Sequence, residues 1–307
     1  MTTLAPPAVR VQEPTAAKGG RSGSVGWMAI PALLMFFAFA VVPLVGVFVL
    51  SFTTWDSIGP IHPSGLTSWK AALGDKELLH SVYVTFLIMG LSWLAQTPLS
   101  ILIGVFLAAR KRYRGILAVL YFIPLLLSSA AISITYKALL DPNFGIGAGL
   151  SLDFLNQDWL GNSTLAVSVL VFVVSWQYIP FHSLIYQGAV RQIPTSMYEA
   201  AEIDGAGRWR AFWSITLPQI RYTIVTSSTL MVVGSLTFFD LIFVLTGGGP
   251  GNSTRALALE MYQTGFMANQ MGPASAIAVI LVLVGLLLAQ LLRRLGGKGD
   301  ESQLEGA

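Results

Sequence analysis

The chain has 307 residues, of which 54% are hydrophobic and 11% charged, with a formal net charge of +3. Soluble domains carry about a quarter charged residues, so this composition excludes an ordinary soluble fold. There is no cysteine, which excludes disulfides, thiolate metal sites and cysteine nucleophiles. The three histidines, His62, His80 and His182, are too scattered to suggest a metal centre.

The apolar residues come in long blocks. A bilayer core needs roughly 20 of them as a helix, and runs of that size predict six transmembrane helices in an all-α membrane protein. Residues 1–25, rich in Ala, Pro, Gly, Ser and Thr with Arg10, Lys18 and Arg21, read as a disordered tail. The first block runs from Gly26 to Ser51. Ala38-Phe39-Ala40 resembles a signal-peptide cleavage site, but the apolar run continues through Leu50, which suits a spanning helix better. Further blocks lie at Ser81–Ala109, Gly115–Leu139, Thr164–Val190, Tyr222–Leu245 and Gly272–Leu292. The transmembrane domain is therefore 26–294, followed by a tail at 295–307. Pro43, Pro98, Pro124 and Pro180 fall inside blocks, where neighbouring helices re-satisfy the freed carbonyls. Trp27, Trp55 and Trp159 sit near block edges, as an interfacial aromatic belt would.

Orientation follows from the basic residues. Arg110, Lys111, Arg112 and Arg114 occupy one turn; Arg191, Arg208, Arg210 and Arg221 lie in the 191–221 connection; Arg293, Arg294 and Lys298 follow the last block. The other side holds Lys70, Lys76 and Arg255, with Lys137 near a helix end. Both termini are then cytoplasmic, and the loops at Thr53–His80, Asp141–Ser163 and Thr246–Met271 face outward.

The most specific segment is Ile193–Ile220. Ser196-Met197-Tyr198-Glu199 has the spacing of a capping box and predicts a short helix through Ile203. Gly205 then allows the positive φ that ends a helix. Arg208–Ile215 is a second amphipathic stretch, with Trp209, Phe212 and Trp213 among Arg208 and Arg210. Chemistry alone leaves open a docking surface or an interfacial helix at the lipid headgroups.

This loop reads Glu199-Ala200-Ala201, three residues, Gly205, nine residues, Ile215, one residue, then Leu217-Pro218. It resembles the EAA loop of importer permeases in the ATP-binding-cassette (ABC) superfamily. Phe239–Pro250 with Gly251-Asn252-Ser253-Thr254 resembles the maltose- and glycerol-phosphate-type branch of sugar permeases. Trp176-Gln177 with Pro180-Phe181, before Gln192-Ile193-Pro194, is similar to the same branch. The resemblance covers about 81–294. It implies a type I importer permease fold and a bacterial inner-membrane location. It also implies a second homologous permease, an ATPase dimer beneath the pair, and an extracytoplasmic sugar-binding lipoprotein. Glu199, Ala200, Ala201, Gly205, Ile215, Leu217 and Pro218 would form the ATPase-coupling segment. The chain has no G-x-x-x-x-G-K-[ST] phosphate loop, and Gly296-Gly297-Lys298-Gly299 lacks that spacing. The chain is thus expected to bind no cofactor of its own, with ATP and Mg on the partner ATPase.

Transport sites lie near the bilayer midplane. Gln177 and Tyr178 fall about 20 Å from the start of the fourth block, at 1.5 Å per residue. Trp176, Gln177 and Tyr178 offer an aromatic plate, an amide and a phenol suited to a sugar; interhelical hydrogen bonding is the alternative. Asp240 is the acid within a predicted span, with Thr237 three residues before it on the same face. It suits substrate contact, an outer gate or a structural pairing. A membrane enzyme finds no support in clustered His and Glu or in a serine triad. A permease of the same superfamily for a non-sugar solute is the competing reading, and the sequence does not identify the sugar.

Overall fold

The computed structural model describes residues 25–109, 112–150 and 156–296. The predicted tails, apart from Val25, Leu295 and Gly296, and the basic pair Arg110-Lys111 lie outside these residues. The chain divides into two compact units, one up to Gly46 and one from Val47 onward. The first unit is one apolar helical stretch, the greater part of α1 (Trp27–Leu50). A π-helical turn at Phe37–Val41 interrupts its regular ladder. None of the residues of its apolar window is buried by protein. A helix apolar all round suits a hydrocarbon surrounding.

The second unit opens with a short antiparallel pairing of β1 (Thr53–Thr54) and β2 (His62–Pro63). Next come α2 (Thr67–Gly74), α3 (Lys76–Ala108), α4 (Arg112–Leu126), α5 (Ser129–Leu139), α6 (Ile146–Leu150) and α7 (Ser163–Gln192). A short helical run then comprises α8 (Thr195–Ile203), α9 (Arg208–Ala211), a π-turn at Phe212–Thr216 and α10 (Leu217–Gln219). The remainder is α11 (Arg221–Ser235), α12 (Phe239–Leu245), α13 (Leu257–Tyr262), a π-turn at Gln263–Met267 and α14 (Met271–Gly296). Among the described residues, α1, α3, α7 and α14 are long and apolar enough to cross a bilayer. The pairs α4–α5 and α11–α12 complete up to six spans if each pair is one crossing.

Those two pairs correct the expectation of continuous spans. The first bends by 93° and the second by 50°. At the first break, Pro124 removes a helix donor one turn before Leu127, and Ser128 starts a new helix by accepting from Ala131 N at 3.2 Å. At the second, Ser235 and Thr237 hydroxyls donate to Val232 O and Gly234 O at 2.7 and 2.8 Å. Such bonds offer the backbone an alternative to the helical ladder. Thr237 therefore lies within the break and Asp240 in the helix that follows it, so the two do not share a face of one helix.

The core is built around α3 crossing α7. Gly104 lets the backbones approach: a Cβ there would sit 2.8 Å from both Ser183 O and Tyr186 Cβ. Small residues at crossings are how membrane helices gain packing energy without a hydrophobic driving force. Leu170, Val173 and Val174 of α7 are fully buried against Val84 and Ile88 of α3 and Leu241, Ile242 and Leu245 of α12.

The segment at Thr246–Met271, expected as an outward-facing loop, holds a short helix and a buried stretch at Ala256–Glu260. Thr246 and Thr254 hydroxyls meet at 2.7 Å, and Thr254 also donates to Gly249 O at 2.9 Å. Gly248 turns with φ +91°, and a Cβ on it would press within 2.9 Å of Leu259 Cδ2. The segment is stitched to α3: Asn252 Nδ2 donates to Glu77 at 2.7 Å, and Leu257 N donates to Thr85 Oγ1 at 2.8 Å. At its centre Glu260 is 2% exposed. Its carboxylate lies 2.5 Å from Arg255 Nε, a charge contact without the alignment of a good hydrogen bond. It also accepts from Ser81 Oγ at 3.3 Å and Thr264 Oγ1 at 3.2 Å. Asp240 is thus not the only acid that the bundle must accommodate.

Two outcomes follow from this packing. Gly104→Ala lowers the unfolding temperature of the detergent-solubilised protein, whereas Gly90→Ala, in the same helix with open space around it, leaves it unchanged or raises it. Glu260→Ala leaves Arg255 only the Glu77 carboxylate at 3.8 Å and destabilises by about 1–3 kcal/mol, and Glu260→Leu combined with Arg255→Met recovers much of that loss; a double-mutant cycle on thermal unfolding measures both.

Candidate functional site

Two places bring together the residues singled out from the sequence. The first is a cavity of about 400 Å³ at the two helix breaks. Leu125 and Ser129 enter from the α4–α5 break, and Gly234, Thr237, Phe238 and Asp240 from the α11–α12 break. Gln96 of α3 and Tyr178, Phe181 and His182 of α7 close it.

Tyr178 stacks on Phe238 with ring centroids 5.6 Å apart. Phe181 meets the His182 ring edge-on at 5.1 Å, while His182 Nδ1 pairs with Ser227 Oγ at 2.9 Å. Asp240 is exposed to the cavity and makes no hydrogen bond or ion pair among the described residues. Gln96 is 2% exposed and its amide likewise has no protein partner among them. The cavity therefore combines aromatic faces with unpaired amide, phenol and carboxylate groups. Such a lining suits a solute carrying hydroxyls around apolar C–H faces.

Tyr178, Thr237 and Asp240 line this cavity, and Trp176 and Gln177 do not. Gln177 is buried behind it. Its Nε2 donates to Ser129 Oγ at 3.2 Å and to Leu127 O at 3.4 Å, so it satisfies a carbonyl freed by the α4–α5 break. Trp176 packs edge-on against Tyr136 of α5 at 5.6 Å. Gln96 and Phe238 were not singled out from the sequence. An amide inside an apolar block was the available signal for Gln96; Phe238 becomes distinctive only because the helix breaks beside it. No group of three or more His, Cys, Asp or Glu among the described residues could hold a metal ion.

The second place is the α8–α10 run. The capping box does not form: Pro194 is the N-cap, with φ −58° and ψ 132°, and Ser196 is already inside the helix, where its hydroxyl cannot cap. The C-terminal end is as expected. Gly205 has φ +72°. Ala206 N donates to Ala201 O at 2.8 Å and Gly205 N to Glu202 O at 3.0 Å, the paired bonds of a Schellman turn. Glu199 and Ala200 are exposed, Ala201 is half-buried, and Ile203 is 87% exposed. The opposite face is anchored: Tyr198 OH meets Thr216 Oγ1 at 3.0 Å. Met197, Ile215 and Leu217 pack on Ile101, Tyr186, Ile193 and Ile220 at the base of α3 and α7. Pro218 sits in the first turn of α10, where its missing donor costs nothing. The result is a small helix held rigidly on one side and open on the other.

Comparison with known proteins agrees with this architecture. Residues 96–298 match the family described as binding-protein-dependent transport system inner membrane component; the match begins at Gln96, later than the resemblance read from the sequence. The osmoprotective compounds uptake permease protein GgtC of Synechocystis is 34% identical over 83% of this chain and 92% of its own length. The multiple sugar-binding transport system permease protein MsmF of Streptococcus mutans is 31% identical over 84% of this chain and 90% of its own. The fold matches that of a chain from a bacterial ABC transporter involved in alginate import, with a TM-score of 0.78 at 21% identity. That match covers 90% of this chain and 96% of the other. With four to six candidate crossings, a family match over most of its length and this fold, the chain belongs to the inner-membrane permease subunits of binding-protein-dependent ABC importers, which are not themselves enzymes.

Proposed function

We propose that this permease passes a sugar, a mono- or oligosaccharide, from an extracytoplasmic binding protein to the cytoplasm. The observation that carries this reading is the cavity at the two helix breaks, where Tyr178 and Phe238 provide stacked rings beside the unpaired groups of Gln96 and Asp240. A neutral polyol is bound by many modest hydrogen bonds over an apolar plate, and this lining offers both. Sugar transport named for the streptococcal relative supports the same class. The cyanobacterial relative, named for osmoprotective compounds, favours as second reading a small non-sugar solute.

In this proposal the basic connections face the cytoplasm, both termini lie there, and the cavity is one half of a pathway completed by a second homologous permease. ATP and Mg belong to an ATPase dimer beneath the pair. Helix α8 carries the coupling. Its exposed Glu199, Ala200 and Ile203 would seat in a groove of the ATPase, with small alanines permitting close approach. Gly205 sets the turn, and Ile215, Leu217 and Pro218 fix the return into the membrane. Motion of the ATPase would reach the cavity through α7 and α11, which leave opposite ends of the run.

The test is reconstitution in liposomes with the cognate second permease, ATPase and binding protein, following sugar-stimulated ATP hydrolysis and uptake. Gly205→Asp introduces a side chain at positive φ, a strain of about 1–2 kcal/mol, and is expected to abolish stimulated hydrolysis and uptake while the protein stays in the membrane. Unchanged hydrolysis and uptake would refute the coupling role of α8. Tyr178→Phe, which keeps the ring, and Asp240→Asn are expected to lower uptake at limiting sugar by roughly two- to ten-fold, the effect of one lost hydrogen bond, with unfolding temperature unchanged. Gln177→Leu is expected to lower the unfolding temperature instead. Normal uptake in both cavity variants would remove the sugar from this cavity.

A further inference from the structure

An apolar groove of about 450 Å³ opens between the membrane-facing side of α3 and the α9–α10 run. Trp93, Pro98 and Leu102 form one wall, and Trp209, Trp213 and Leu217 the other. Trp209 and Trp213 are 70% and 64% exposed. The polar atoms nearby are already satisfied: Trp93 Nε1 donates to Ser228 Oγ at 2.9 Å, and Thr97 Oγ1 donates to Met231 Sδ at 3.4 Å. The groove floor therefore offers a ligand nothing but hydrocarbon contact.

Its mouth is different. Arg208 and Arg210 are both exposed and flank the lining residue Trp209 on either side in the chain. Arg208 lines an adjoining cavity that shares Phe212 with this groove. The acidic neighbours on α8 and its cap are Glu199, Glu202 and Asp204. None of them forms an ion pair with either arginine among the described residues. The indole N–H groups of Trp209 and Trp213 are also without acceptors there.

We infer that this groove is a binding site for an anionic phospholipid, with an acyl chain lying along Trp93, Pro98 and Leu102 and the phosphate between Arg208, Arg210 and the two indoles. An apolar trough that ends in tryptophans and unneutralised arginines matches the order of a lipid from chain to headgroup. Each basic side chain near an anionic headgroup adds a several-fold preference over a zwitterionic one. The occupant would press on the segment that joins α8 to α11, so lipid charge would tune how firmly α8 is held. This inference rests on the membrane location of the chain and not on the identity of its solute.

The test uses the full-length chain purified in detergent and incubated with equal amounts of phosphatidylglycerol and phosphatidylcholine, with retained lipid measured by native mass spectrometry. Wild type is expected to retain phosphatidylglycerol preferentially. Arg208→Gln with Arg210→Gln is expected to reduce that preference about ten-fold or more, and Leu102→Trp, which fills the trough at an exposed position, to reduce retention of both lipids. Arg293→Gln with Arg294→Gln, at the far end of α14, is expected to behave as wild type. Phosphatidylglycerol brominated on its acyl chains is expected to quench tryptophan fluorescence, with a smaller quenched fraction in Trp213→Phe than in wild type. Helicity measured by circular dichroism confirms that the variants fold. Equal retention of the two lipids by wild type, or an unchanged preference in the Arg208/Arg210 variant, would overturn the inference. So would protection of Trp213 from brominated lipid by a second copy of the chain, since the groove would then be a protein interface.

Discussion

Hydrocarbon supplies no hydrogen bonds, so a chain crossing it must satisfy every backbone group internally. This constraint decides where the molecule can depart from regular helix, and the departures are where its cavity lies. The α4–α5 break is tolerable because Gln177 reaches from α7 to Leu127 O and Ser128 caps the next helix. The α11–α12 break is tolerable because Ser235 and Thr237 turn back onto their own carbonyls. Residues of both breaks line the polar space that lies between them. Gln177 and the hydroxyls thus hold the cavity open from behind, while Gln96, Tyr178 and Asp240 face into it.

The same constraint governs the 246–256 segment. Its glycine turns and linked threonines, with the buried Glu260 of the adjoining α13, form one unit pinned to α3. A buried carboxylate is weak support for stability, but once present it fixes its neighbours because leaving it unpaired is so costly. Glu260 is thereby a register pin for α13 and, through the adjoining π-turn, for the start of α14. Both breaks and this unit pack on α3 or α7, so the close crossing at Gly104 carries the geometry of the rest.

The α8–α10 run, which we propose carries the coupling, is stiff without being long. Alone, a nine-residue helix is marginal. Here the Schellman turn at Gly205 satisfies its last carbonyls, and the Tyr198–Thr216 bond ties it to the returning chain. One face remains free to meet a partner. In the lipid-site inference the exposed Trp209, Trp213, Arg208 and Arg210 would meet the membrane edge, so the element would answer to both protein and lipid.

The sequence by itself determined the membrane class, the number of apolar blocks and the positive φ at Gly205, because these depend on local composition and on glycine chemistry. Its motifs at Glu199–Pro218 and Phe239–Thr254 were enough to indicate the family. It could not reveal that two blocks are broken, since proline and hydroxyl residues inside an apolar run are compatible with either a kinked or a continuous helix. Nor could it separate Gln177 from Tyr178, adjacent residues that a helix turns about 100° apart, one to the interior and one to the cavity. Glu260 was hidden because its segment lacks the length of a span, and only packing against α3 buries it. Those outcomes belong to the tertiary structure, because which polar group is satisfied by which neighbour is set by contacts between residues far apart in the chain.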